Sequence, residues 1–231
     1  MLLAIDTETT GVDHTTADIV QIAAVSLKPT GGREIVMNSL CYPESNMIPE
    51  EASNVHGVFI EHVAGMVSDV RLAKTLRAVV GTFQPSTILT LVTYNGCNYD
   101  LPLLSRKGCH LLNHDHIDVY HLVQRDLHSY GLKLSEVYEN YIGRPLDGAH
   151  EATADCHACI TILQKFCEER EMDEQMLIDY MAKPVLLDAF PFGKHKGKEF
   201  GNIPRGYLRW ARDNFNNVSP DMAFTLQAHV G

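Results

Sequence analysis

This chain has no apolar run approaching the roughly 20 residues needed to cross a bilayer, so no membrane-spanning helix is expected. No secretory leader is expected either: the opening residues carry no basic region and set Asp6 and Glu8 inside the stretch that would have to be apolar. The expected location is therefore cytoplasmic. A disulfide framework is also absent. Cys41, Cys97, Cys109, Cys156, Cys159 and Cys167 follow no scaffold spacing and read as reduced core or surface thiols. Internal repeats and low-complexity tracts are lacking. Positive charge is scarce, with 19 Lys and Arg against 29 Asp and Glu, a net −10 that taken alone argues against a nucleic-acid partner. The scarcity is uneven, however. Between residues 190 and 212, Lys194, Lys196, Lys198, Arg205, Arg209 and Arg212 face only Glu199. An acidic body with a basic tail suits a metal-loaded enzyme that faces phosphates.

The 231 residues, 45% of them hydrophobic, are enough for one sizeable core, or for a domain with an appendage. Strand patterns come first, at Leu2–Glu8, 18–27 and 33–42, the last two joined by a hairpin turn through residues 28–32. Residues 49–66 read as irregular or short-helical. Helical spacing of apolar residues marks 68–83, capped by Ser68. A fourth, central strand is expected at 86–95, then a short helix at 100–108. A strand at 116–119 follows, with Asp118 capping a helix that runs through residue 128. Further helices are expected at 132–143, 149–170 and 173–182. Beyond Lys183-Pro184 the texture changes: short strands around Gly-Lys turns over 185–203, then helices at 204–215 and 219–230. Three antiparallel strands followed by alternating helices and strands predict a mixed α/β sheet. The expected division is a domain at 1–183 and a small α+β module at 184–231.

Asp6 and Glu8 are two residues apart on one strand and so share a face. Asp100 opens the helix after the central strand. Asp155 lies in the first turns of the long helix, five residues after His150. Four carboxylates converging at the ends of strands and a helix would repel one another unless cations neutralise them. Hard oxygen ligands suit two Mg²⁺ or Mn²⁺ ions. Two such ions about 4 Å apart stabilise the attacking and leaving oxygens of an in-line phosphoryl displacement. His150 is then the candidate general base, taking the proton of the attacking water near neutral pH.

The segments Asp6-Thr7-Glu8-Thr9-Thr10-Gly11, Asn95 to Asp100, and His150-x4-Asp155 resemble the three exonuclease motifs of the DEDD superfamily, histidine subtype. The tyrosine subtype places Tyr four residues before the last Asp, where this chain has Glu151. The resemblance implies a ribonuclease H-like fold, a mixed five-stranded sheet flanked by helices. It further implies two-metal 3′→5′ exonucleolysis that releases nucleoside 5′-monophosphates. By it, Asp6 bridges both metals, Glu8 and Asp155 complete the nucleophile-side metal, Asp100 holds the second, and His150 activates the water. It also places the terminal nucleotide at Thr9, Thr10, Gly11 and Val12, with Val12 wedged against the last base. His56, in Asn54-Val55-His56-Gly57, resembles the His-Gly segment beside that pocket. Asn95 belongs to the second motif, which departs from the common Asn-x-x-Phe-Asp by being one residue longer and having Tyr99 for Phe.

Residues 189–215 resemble the basic C-terminal module of the exodeoxyribonuclease X group within that superfamily. Lys194, Lys196 and Lys198 alternate between glycines, a spacing suited to tracking phosphates along one face; Trp210 is expected to pack. The partner implied is DNA with single-stranded or duplex 3′ ends, RNA remaining possible. The alternatives are an RNA-trimming exonuclease, and a polymerase-associated proofreading or accessory nucleic-acid-binding module. No clamp-binding tail is visible, which favours a free-standing nuclease. Cys156-His157-Ala158-Cys159 lacks the second ligand pair of a zinc site. His110, His114, His116 and His121 read as a solvated loop.

Overall fold

The computed structural model describes residues 1–231 apart from 29, 84–88, 112, 128–130 and 216–217. Its centre is β1 (Leu2–Thr9), the middle strand of a five-stranded sheet ordered β3-β2-β1-β4-β5. β2 (Ile19–Leu27) and β3 (Arg33–Leu40) pair antiparallel on one side, while β4 (Thr90–Thr93) and β5 (Asp115–Asp118) run parallel to β1 on the other. This is the mixed five-stranded α/β sheet flanked by helices that the sequence leads one to expect.

β1 sorts its side chains by the two-residue period of a strand. Leu3 and Ile5 join the core beneath α2 (Asp69–Val80) and α3 (Asp100–Arg106). Leu2 and Ala4 face the opposite core with α4 (Val119–Asp126), α5 (Leu134–Ile142) and α6 (Ala152–Glu169). Burying Leu3 and Ile5 fully contributes roughly 1.5–3 kcal/mol each. β2 is buried along nearly its whole length because both sheet faces are covered.

Capping sets the helix starts. Ser68 accepts the Arg71 N–H at α2, and Asp118 accepts the Tyr120 N–H at α4. The segment 49–66 resolves into α1 (Glu50–His56) and a short 3-10 turn. The fourth strand is shorter than the pattern suggests: it ends at Thr93, and Asn95 turns the chain at φ 59°. Residues 86–88 of that expected strand, and residue 128 of the expected α4, lie outside the described residues.

One buried cation holds the far side of the sheet. Lys107, 1% exposed, ends at 2.5, 2.6 and 2.9 Å from carboxylates of Asp18, Asp69 and Glu44. Burial alone would lower its pKa, but those three bonds outweigh it and raise the value.

After α7 (Glu174–Ala182), the C-terminal residues build a core of their own from Leu187, Phe190, Phe200, Leu208, Met222 and Leu226. α8 (Arg205–Asn214) and α9 (Pro220–Val230) supply most of it, with Ser219 capping α9 and Pro220 in its first turn. The α+β expectation needs correcting here. Among the described residues this segment forms no strand, only an isolated antiparallel bridge between Ala189 and Glu199. Gly193 and Gly197, at φ 64° and 76°, bend the chain into a 3-10 turn before any extended run can form. A bidentate pair ties this segment to the sheet: Arg125 on α4 binds Asp221 on α9 at 2.8 and 2.6 Å, both side chains buried.

Candidate active site

β1 outlasts its parallel neighbour. Pairing with β4 covers only Leu2, Leu3 and Ala4, whereas pairing with β2 continues through Asp6–Ala23 and Glu8–Gln21. The last residues of β1 therefore leave one strand edge open, between β1 and β4, where the strand order reverses. Such a switch point is where α/β sheets hold ligands.

Asp100, the first residue of α3, fills that open edge. Its Oδ1 accepts the Thr7 backbone N–H at 3.1 Å and the Thr7 hydroxyl at 2.5 Å. Asp6 and Glu8 continue the Leu2–Ala4 row and so face α6. Asp155, in the first turn of α6, meets them: Asp6, Glu8 and Asp155 each present a carboxylate oxygen within 4.8 Å of the others. His150 precedes the helix with φ 67°, a left-handed conformation that costs a non-glycine residue about 1–2 kcal/mol. Its backbone N–H donates to Asp155 Oδ2 at 3.3 Å. All five residues line one cavity of about 420 Å³.

Electrostatics follow from that crowding. Burial, then Asp100, Asp155 and Glu8, push the Asp6 carboxyl well above its usual range. Burial and the neighbouring carboxylates push Glu8 up to about 8. Asp100 rises to about 6 through burial, opposed by the Thr7 bonds, and Asp155 rises to about 6 through burial, opposed by the His150 N–H. A group of oxygen donors this reluctant to ionise together fits divalent cations, which supply the missing positive charge.

Sequence reasoning missed a supporting pair. Gln21, opposite Glu8 on β2, donates to Glu151 Oε1 at 2.9 Å and accepts the Ala152 N–H at 3.4 Å. Glu151 also caps α6 through the Ala154 N–H. This pair seats the helix that carries Asp155. Only the long-range strand register reveals it. The cavity walls also include Tyr94, Tyr120, Leu132 and Lys133, which carry no motif.

The loop from Asn95 to Asp100 is held tightly. Asn95 lines the cavity and donates its N–H to Asp118 Oδ1 at 2.7 Å. Gly96 packs so closely that a Cβ there would lie 2.5 Å from the Thr93 side chain. Tyr99 contributes what a Phe could not: its hydroxyl donates to the Gly11 carbonyl and lies 2.7 Å from the Thr9 hydroxyl.

Beside the carboxylates, Thr9, Thr10, Gly11 and Val12 face Pro49, Ala52, Val55 and His56 across a second cavity of about 500 Å³. Val12 is 98% exposed and Val55 54% exposed. His56 accepts the Val58 N–H at Nδ1, so its Nε2–H donates to the Thr9 carbonyl at 3.2 Å. Burial lowers its pKa, opposed by the bond to the Thr9 carbonyl and aided by the nearby His150. The three lysines differ in their contacts. Lys194 sits 4.4 Å over the Tyr207 ring, Lys198 is exposed, and Lys196 reaches the carbonyl of Gly131, a wall residue of the carboxylate cavity. Trp210 is 49% exposed at the edge of the C-terminal core, packed against Tyr207 and Phe215.

The sequence profile of the family described as Exonuclease (RNase_T) matches residues 3–163, more than half of the chain. The chain belongs to this exonuclease family. Family members depend on divalent metal ions. Exodeoxyribonuclease 10 of Escherichia coli (strain K12) is 29% identical over 84 residues, which are 35% of this chain and 38% of that relative's length. Among solved structures, exonuclease X in complex with 5′ overhanging duplex DNA superposes with a TM-score of 0.55 at 20% identity, covering 78% of this chain and 98% of that one. Escherichia coli exonuclease I in complex with a dA16 oligonucleotide gives 0.61 at 16% identity, over 78% and 42%. At such identities the likeness is one of fold. No helix among the described residues is long and apolar enough to cross a membrane.

Proposed function

We propose that the chain is a 3′→5′ exodeoxyribonuclease that hydrolyses the terminal phosphodiester bond and releases a nucleoside 5′-monophosphate. The observation that carries this reading is the meeting of Asp6, Glu8, Asp100, Asp155 and His150 around one cavity at the open edge of β1. Two Mg²⁺ or Mn²⁺ ions held by Asp6, Glu8, Asp155 and Asp100 would supply the charge stabilisation for an in-line displacement. His150 takes the proton of the attacking water, the new P–O bond forms, and the bond to the 3′ oxygen breaks. The Thr7 bonds fix the Asp100 carboxylate before substrate arrives, so no reorganisation is needed during the reaction.

Thr9, Thr10, Gly11 and Val12 would seat the last nucleotide, its base lying between Val12 and the Val55 wall. His56 and Tyr99 act on that seat indirectly, by holding the Thr9 and Gly11 carbonyls. Residues 184–231 would form a separate module that reaches DNA phosphates through its lysines, with Lys196 nearest the cavity. The structures of exonuclease X with duplex DNA and exonuclease I with an oligonucleotide support DNA as the substrate class.

The test is parallel digestion of 5′-labelled single-stranded DNA, duplex DNA and RNA by purified protein with Mg²⁺ or Mn²⁺. Single-stranded or duplex DNA should shorten stepwise from the 3′ end. EDTA, Asp6→Ala or Asp155→Ala should slow this by several orders of magnitude. Intact DNA throughout would refute the reading, and degradation of RNA alone would reassign the substrate.

A further inference from the structure

A second cluster of metal-binding side chains lies behind the loop that carries Asp100. Cys97 Sγ and His121 Nε2 are 3.9 Å apart, and one carboxylate oxygen of Asp118 lies within 4.8 Å of both. The three residues come from different places: the loop after β4, the end of β5 and the first turns of α4. They line a cavity of about 380 Å³ between the sheet and the C-terminal helices, together with His116 and Pro220.

We propose that Cys97, Asp118 and His121 bind a borderline-soft transition metal ion of the zinc type, which ties the Asn95–Asp100 loop to β5 and α4. The donor set argues for this class. One sulfur, one imidazole nitrogen and one carboxylate oxygen suit Zn²⁺, whereas the all-oxygen set of Asp6, Glu8 and Asp155 suits Mg²⁺ or Mn²⁺. The spacing is right as well. Bonds of ~2.3 Å to sulfur and ~2.0 Å to nitrogen at a tetrahedral centre put those atoms roughly 3.5 Å apart, a few tenths of an ångström closer than they stand here.

Asp118 is already oriented for the task. Its Oδ1 accepts N–H groups of Asn95 at 2.7 Å and Tyr120 at 3.0 Å, and Oδ2 accepts the Cys97 N–H at 3.3 Å. Such outer bonds fix a ligand's geometry before the ion arrives. A fourth position opens into the cavity, where water would complete the shell.

The remaining acidic cluster makes a useful contrast. Asp18, Glu44 and Asp69 also lie within ligand distance of one another, but the Lys107 ammonium occupies their centre. Among the described residues the cluster at Cys97 receives no such side chain, since Arg125, which lines the same cavity, is spent on Asp221. Cys97 stands three residues before Asp100, so an ion here would stiffen the longer second-motif loop.

The experiment uses Co²⁺ as a spectroscopic substitute for Zn²⁺, on full-length protein carrying Asp6→Asn and Asp155→Asn to weaken the oxygen site. One equivalent of Co²⁺ should produce a thiolate-to-metal charge-transfer band, which Zn²⁺ then abolishes. Cys97→Ser should remove the band and weaken binding at least tenfold, and His121→Gln should weaken it similarly. Circular dichroism confirms that each variant is folded, and Zn²⁺ should raise the melting temperature of the parent but not of Cys97→Ser. Absence of the band in the parent, or a band unchanged by Cys97→Ser, overturns the proposal. Neither readout depends on nuclease activity, so its failure is separate from any failure of the reading above.

Discussion

Thr7 and Asp100, ninety-three residues apart, are joined by two hydrogen bonds to one oxygen, from the Thr7 N–H at 3.1 Å and its hydroxyl at 2.5 Å. The strand edge that β4 leaves unpaired thus becomes the anchor for a carboxylate. A hydrogen bond to a charged group is worth ~1.5–3 kcal/mol. Thr7→Val removes the hydroxyl and keeps the shape, so single-turnover cleavage should slow by roughly ten- to a hundredfold while DNA affinity stays constant. A fall in affinity with an unchanged rate would contradict this assignment.

Without metal, the carboxylates make the protein sensitive to pH in an unusual direction. Glu8 is pushed up to about 8 from 4.5, and Asp100 and Asp155 to about 6 from 3.8, chiefly by burial. Between these limits the folded state binds more protons than the unfolded chain, so stability falls as pH rises from about 4 to 8. Melting in EDTA should occur several degrees lower at about pH 8 than at about pH 5. Added Mg²⁺ or Mn²⁺ should narrow that gap. A melting temperature that rises across the interval in EDTA would count against the crowded site.

The Arg125–Asp221 pair holds the C-terminal helices to the sheet. Arg125 also donates to the Tyr180 carbonyl at 2.7 Å, and Asp221 accepts the Val185 N–H at 2.9 Å. Arg125→Ala strands a buried carboxylate and should cost about 3–5 kcal/mol, read by denaturant unfolding. Arg125→Met with Asp221→Leu should recover much of the loss. A single-variant cost below about 1 kcal/mol would mean that the pair is not buried in solution.

Changing Lys194, Lys196 and Lys198 together to Ala should weaken DNA binding and flatten its dependence on salt, because fewer counterions are released. Lys196→Ala alone should carry the largest single share, since Lys196 reaches a wall of the carboxylate cavity. Identical salt slopes for wild type and the triple variant, measured by fluorescence anisotropy, would remove the lysines from the interface.

Much of this arrangement is legible in local sequence because local rules govern it. The two-residue period put Asp6 and Glu8 on one face, and they do continue the Leu2–Ala4 row towards α6. Asp118 was recognisable as a cap, and it caps α4. What escaped depends on pairing across long distances. The Gln21–Glu151 contact follows from the β1–β2 register and the docking of α6, which no window of sequence contains. His116 and His121 look like members of a solvated loop, yet β5 and α4 turn them towards the Cys97 cavity. The alternating lysines imply an extended hairpin, but two left-handed glycines curl that segment, with Lys194 over the Tyr207 ring and Lys196 at the Gly131 carbonyl.

Calorimetric titration of Mn²⁺ into EDTA-stripped protein near neutral pH tests the central claim most directly, since everything depends on the carboxylates acting together. The account predicts about two equivalents bound by the wild type, and loss of this binding in Asp6→Asn and Asp155→Asn while the variants remain folded. Wild-type protein that takes up no Mn²⁺, or variants that bind it as well as the wild type does, would contradict it.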